Sequence, residues 1–177
     1  MNRQLRTYAP IAYSLVASLV FLDSLRFKFT NAPETQTIFG KLDAWAAGFG
    51  AEGLFAQTGL FSQYVIGSAE LVASSLLIAS LVPALSRLRT LGALIAAAVM
   101  TGAVNFHLFT PLGIDPNNDG GGLFFMAVVV WLSSLAMVFA GRGVLIELGR
   151  AFLKVLLPVR LMSPHSETGR VLTPAQS

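Results

Sequence analysis

One carboxylate stands inside an otherwise apolar run: Glu70, in Gly67-Ser68-Ala69-Glu70-Leu71-Val72. In hydrocarbon a charged side chain costs about 2.5–3.5 kcal/mol on insertion scales, so a residue kept there has something to do. Its helical neighbours Gly67, Ala73 and Ser74 make a small, slightly polar face that would point into a bundle. Two readings fit. Glu70 is a proton or ligand site, or it is tied to a basic residue or to backbone and fixes the bundle. Without a cation beside it, burial would keep it protonated. Asp23, Arg26 and Lys28 cluster at the end of an earlier apolar run. Asp23 and Arg26 are three apart, hence neighbours on a helix. Lys28 has a stem long enough to snorkel to the interface or to reach inward toward Glu70.

Asn105 and His107 lie near the end of a third apolar run. Two positions apart, they face different sides of a helix. Asn105 shares its side with Ala98, Thr101 and Gly102 and is expected to hydrogen-bond another helix. His107 lies with Ala96, Met100 and Ala103, close enough to the end to touch water, as a structural residue or as a ligand. His165 falls in a polar tail, so a haem held by two histidines of this chain is not expected. The loop Asp115-Pro116-Asn117-Asn118-Asp119-Gly120 opens like a calcium loop, with alternating oxygen ligands and a turn glycine. The closing bidentate Glu would fall at Met126, so the pattern fails where charge matters most. We read it as a polar turn in which Asp119 caps the next helix, and expect no metal.

The chain contains no cysteine, which excludes disulfides, thiol relays and thiolate metal sites within it. No nucleotide loop, zinc signature or Ser/His/Asp arrangement is present. No catalytic residue can be named.

The elements that must position these groups follow from composition. Of 177 residues, 54% are hydrophobic and only 12% charged, with a mean hydropathy of +0.68; soluble domains carry roughly twice that charge. The expected solvent is a lipid bilayer. Spanning it takes about 20 apolar residues, and four segments qualify: about Ala9–Leu25, Leu60–Leu81, Leu91–Phe109 and Gly121–Ala140. Helices satisfy their own backbone groups in lipid, so the expected fold is all-α, a four-helix transmembrane bundle forming a single domain over residues 1–161. The Asp23-to-Lys28 stretch in place of a cleavage site marks the first span as retained rather than as a signal peptide.

Nine of the twelve basic residues precede the first span, sit between the second and third, or follow the fourth: Arg3, Arg6, Arg87, Arg89, Arg142, Arg150, Lys154, Arg160 and Arg170. By the positive-inside rule these segments are cytoplasmic, both termini included. The net charge of +3 is thus an orientation signal and not a nucleic-acid footprint. In the first loop, Ile38, Leu42, Trp45 and Phe49 recur at helical spacing. This predicts an amphipathic helix over Thr37–Phe49, on the outer membrane face, or else an irregular loop packed over the bundle. Val144–Leu161 mixes apolar residues with Glu147, Arg150, Lys154 and Arg160 and reads as an interfacial cytoplasmic helix. Met162–Ser177 is polar and expected to be disordered. Ala69 with Ala73, Ala93 with Ala97, and Ala98 with Gly102 form small-xxx-small pairs that let helices approach closely.

From Tyr8 to Gly141 this layout resembles the DoxX-like family of small four-helix membrane proteins. The resemblance rests on Leu25-Arg26-Phe27-Lys28-Phe29 closing the first helix and on Gly67-Ser68-Ala69-Glu70-Leu71-Val72 in the second. Phe106-His107-Leu108 ends the third, and Asp119-Gly120-Gly121-Gly122-Leu123-Phe124 opens the fourth. Some relatives are subunits of thiosulfate:quinone oxidoreductases and others are linked to oxidative stress. The resemblance implies a redox-associated accessory subunit in the inner membrane, with quinone as a ligand and no cofactor of its own. An oxidoreductase subunit or a second copy would be its partner. Lys28 and Glu70 are the positions carried over, followed by His107. The alternative is a non-catalytic scaffold or stress-response protein. A small transporter is less favoured, because paired broken helices are lacking.

Overall fold

The computed structural model describes residues 3–156. They form α1 (Arg3–Phe29), α2 (Pro33–Ala47), α3 (Gln63–Ala79), a 3-10 turn (Pro83–Leu85), α4 (Leu88–Phe109), α5 (Gly122–Ala140) and α6 (Arg142–Leu156). The chain divides into two units, Met1–Leu145 and Ile146–Ser177. The expected disordered tail, Met162–Ser177, lies outside the described residues.

Helices α1, α3, α4 and α5 make the bundle of the first unit. α3 packs on both α1 and α4, α4 on α5, and α5 more lightly on α1. The core between them holds Phe21, Leu77 and Val130 among small residues, Ala17, Ala73, Ala93 and Ala96. Side chains as small as alanine let helix backbones close up where lipid supplies no hydrophobic drive. Two of the small pairs act this way. Ala93 and Ala97 are buried, as is Ala73. The third differs: Ala98 and Gly102 line a cavity instead of a helix contact. Outward, α1 and α5 present large apolar side chains such as Leu19, Phe125 and Phe139, each at least 64% exposed. That surface is made for hydrocarbon.

Among the described residues, three helices are long and apolar enough to cross a bilayer: Thr7–Phe29 within α1, Leu88–Phe109 and Gly122–Ala140. The expected second span is the exception. In place of Leu60–Leu81, α3 has 17 residues, about 25 Å against roughly 30 Å of hydrocarbon. Both of its ends have physical causes. At the start, Ser62 accepts a bond from the Val65 amide at 3.3 Å, and Phe61 is drawn into a loop by its bond to the Leu54 carbonyl. At the finish, Pro83 lacks an N–H and holds Val82 extended, at ψ 123°, which stops a helix there.

The first loop contains a helix, as its periodicity predicts, but it starts earlier, with Pro33 at its first position, where a missing N–H is harmless. Its apolar side is used differently from expectation. Leu42 and Ala46 are buried with Phe55 and Leu112, and Ile38, Trp45 and Phe106 pack around them, so α2 caps the bundle end where α1 and α4 finish. Only Phe49, 75% exposed, remains outside, edge-on to Trp45. In the second unit, α6 runs on to Leu156 with no buried residue.

Arg89 also departs from expectation. It sits in α4 and not in a loop, and its guanidinium donates to the Ser14 hydroxyl and the Ser80 carbonyl, each at 3.1 Å. With Ser14 beside Ser80 at 3.3 Å and Tyr13 bonded to Ser134 at 2.8 Å, it makes a polar seam far from Glu70. These serines fasten α1 to α3 and α5.

Candidate functional site

Three of the singled-out residues meet at the α2 end of the bundle. Lys28 leaves the last turn of α1, Glu70 stands two turns inside α3, and His107 is in the last turn of α4. The Lys28 Nζ donates to Glu70 Oε1 at 3.1 Å and also to the Ser24 hydroxyl one turn back. Glu70 is 3% exposed, and its second oxygen, Oε2, is buried with no hydrogen-bond partner among the described residues. A buried carboxylate oxygen left unpaired is expensive. Natural sites that keep one have a use for it.

The main chain of Lys28 is fixed as well. Its carbonyl accepts from Gln63 Nε2 at 2.8 Å, and Gln63 bonds Asn31 at 3.0 Å and accepts from Gln36 at 2.6 Å. Asn31 adopts φ +57°, a left-handed turn that asparagine tolerates. This amide cluster joins the α1–α2 turn to α3, so it positions the lysine. Neither Gln63 nor Ser24 was singled out from the sequence, since single Gln and Ser residues carry no spacing signal.

His107 was expected near water, but it is 5% exposed. The loop after α4 folds back over it, with Gly113 at φ +71°, a conformation that favours glycine. That turn directs the Gly113 carbonyl onto His107 Nδ1 at 2.6 Å. A carbonyl only accepts, so Nδ1 carries a proton and donates it. The Phe124 ring packs 5.5 Å from the imidazole.

Asn105 does not join the site. It is exposed, and its amide donates back to the Thr101 carbonyl of its own helix, which ends the expectation of an interhelical bond. That bond belongs to Thr101, whose hydroxyl accepts from the Trp131 indole of α5 at 2.8 Å. Asp23 and Arg26 form the expected pair at 3.1 Å, largely exposed, and Arg26 also lies over the Phe27 ring. Asp23 reaches the cavity rim; Arg26 does not line it.

Between these groups lies a cavity of about 830 Å³, within the range of sites for drug-sized ligands. Its wall is mostly apolar, with Val20, Phe27, Phe39, Phe106 and Met126 beside the small residues Ala98, Gly102 and Ala103. Ser24, Lys28, Thr35, Glu70 and His107 are among its polar groups, and Asn117 and Asp119 line it from the loop after α4. The Asp119 carboxylate accepts from the Leu123 amide at 2.8 Å and the Gly121 amide at 3.0 Å. Those bonds, led by the one from Leu123, hold its carboxyl below the usual range. It thus satisfies the amides at the start of α5. Asp115 in turn accepts from the Asp119 amide, so both acids of the loop are engaged in its own turn.

The chamber thus combines apolar walls with the Lys28–Glu70 pair and the His107 ring. In comparison with known proteins, no family model matches this chain, and neither a curated protein nor a solved structure does.

Proposed function

We propose that this chain is a DoxX-like membrane subunit that holds an isoprenoid quinone in the bundle cavity and supports an oxidoreductase partner. The observation that carries the reading is the Lys28 ammonium, held beside Glu70 in an apolar chamber. Of its three hydrogens two go to Ser24 and Glu70, and the third is free for a ligand carbonyl. The quinone ring is flat and apolar with oxygens at its two ends, which matches apolar walls with polar groups on α1, α3 and α4. Phe27, Phe39 and Phe106 offer faces for ring stacking.

In this reading α3 is the fourth span. It packs between α1 and α4, so its neighbours can cover the backbone beyond its ends, where lipid-exposed irregular chain is not tolerated. The cavity then opens toward the outer face of the inner membrane, and both termini and α6 are cytoplasmic. On α6, Glu147, Arg150 and Lys154 share one side and Val144, Leu148, Phe152 and Val155 the other, the pattern of an interfacial helix. A topology reporter fused at Asn118 is expected to read outside. A cytoplasmic reading there removes the four-span arrangement.

The ligand is tested by what accompanies the protein. Purified in mild detergent, it is expected to retain quinone, and Ala103→Phe, which narrows the chamber, is expected to lose most of it. Equal retention by this variant would contradict the reading.

A further inference from the structure

We propose that α6 is a docking surface for an anionic phospholipid leaflet, held to it by Arg142, Arg150 and Lys154. The inference rests on the reading above of α6 as an interfacial helix and adds which lipids it takes; the quinone plays no part in it. It begins with where α6 starts. α5 ends at Ala140 and α6 begins at Arg142, so Gly141 alone separates a bilayer span from the next helix. Gly141 is seated against the start of α4, because a Cβ there would strike the Thr90 side chain. α6 therefore leaves from the membrane boundary. At the joint the Arg142 guanidinium lies 4.7 Å over the ring of Phe139, a contact that holds the cation beside the last turn of α5.

The make-up of α6 names its neighbour. Its 15 residues reach about 22 Å as a helix, too short to cross hydrocarbon. None of them is buried, and Leu148, Phe152 and Val155 on the apolar side are all exposed. An apolar face that starts at the bilayer edge is satisfied by lying in the headgroup boundary.

Charge then decides what kind of headgroup. Three residues of α6 are basic and Glu147 alone is acidic, a net charge of +2. The bundle supplies no acid at this end: no Asp or Glu occurs before Asp23, between Glu70 and Asp115, or between Asp119 and Glu147. Arg87, exposed at the start of α4, adds to the same sign. Each Lys or Arg near an anionic leaflet strengthens attachment roughly fivefold. A net two charges thus favour an anionic leaflet over a neutral one by more than about tenfold.

The test varies the lipid and keeps the protein whole. The full-length chain is placed in nanodiscs of phosphatidylcholine alone, or of equal parts phosphatidylcholine and phosphatidylglycerol. Backbone hydrogen exchange, which reports local opening, is then followed by peptide. Amides of α6 are expected to exchange at least about tenfold more slowly in the anionic discs, with peptides of α1, α4 and α5 unchanged. The gain is expected to vanish in the double variant Arg150→Glu with Lys154→Glu, and to shrink in high salt. That variant leaves the bundle intact, because α6 has no buried residue. Equal exchange of α6 in both discs overturns the proposal, as does protection that follows a second protein copy per disc instead of the lipid. Should peptides of α1, α4 and α5 exchange freely in both discs, the bundle is not in lipid, and the membrane reading falls together with the proposal.

Discussion

Lys28→Met is expected to destabilise the protein by about 3–5 kcal/mol, more than any other single change at the site, because Glu70 is then buried without its cation and must either take up a proton or stay uncompensated. Glu70 is 3% exposed and two turns inside α3; its short side chain cannot reach water. The reverse change is expected to be milder. In Glu70→Gln the stranded group is Lys28, which is in the last turn of α1 and already 14% exposed. Its long stem can carry the ammonium out to the interface. The double variant, Lys28→Met with Glu70→Gln, leaves no buried charge and should regain much of the loss. Thermal unfolding in detergent for the four proteins checks this order. Equal behaviour of both single variants and the double would show that the pair carries no energetic weight.

A second large effect is expected at Gly92 of α4. A Cβ placed there would lie 2.9 Å from Leu77 Cγ and 3.2 Å from the Ala73 carbonyl oxygen. Leu77 and Ala73 are both wholly buried, so neither has room to move. Overpacking of this kind costs about 1–3 kcal/mol, with larger values where backbone is struck. Gly92→Leu should approach the upper figure, because the whole side chain must enter the α3–α4 contact. The damage should extend to the site, since α3 carries Glu70. Gly40→Ala is a suitable control: its added Cβ meets nothing within 4 Å. Equal melting temperatures for the two variants would contradict the close α3–α4 packing.

Much of this arrangement is legible in the sequence where physics leaves few choices. Long apolar runs must be helices in lipid, and a lone mid-run carboxylate either keeps its proton or finds a partner. Lys28, one helix away, is within reach, and the two do pair. The end of α3 is also written in the chain, in Val82-Pro83, although apolar composition carries an expected span up to that point. Other features depend on chain folding back from elsewhere. His107 looks interfacial by position, and only the loop to Gly113 buries it. Asn105 looks like an interhelical donor by its face, yet bonding its own helix is equally open to it. Arg89 reads as loop charge until Ser14 and Ser80 are brought to it by packing. The cavity itself could not be read, because Ala98 and Gly102 look the same whether small residues admit a helix or leave a space.

The central claim is that this cavity, and not the lipid-facing surface, holds the quinone. Photolabelling native membranes with an azidoquinone, followed by peptide mapping, tests it most directly. The expected adducts fall on the peptides carrying Lys28, Glu70 and His107 and vanish when unlabelled quinol competes. Labelling spread over outward residues such as Leu19, Phe125 and Phe139, unaffected by competitor, would contradict it.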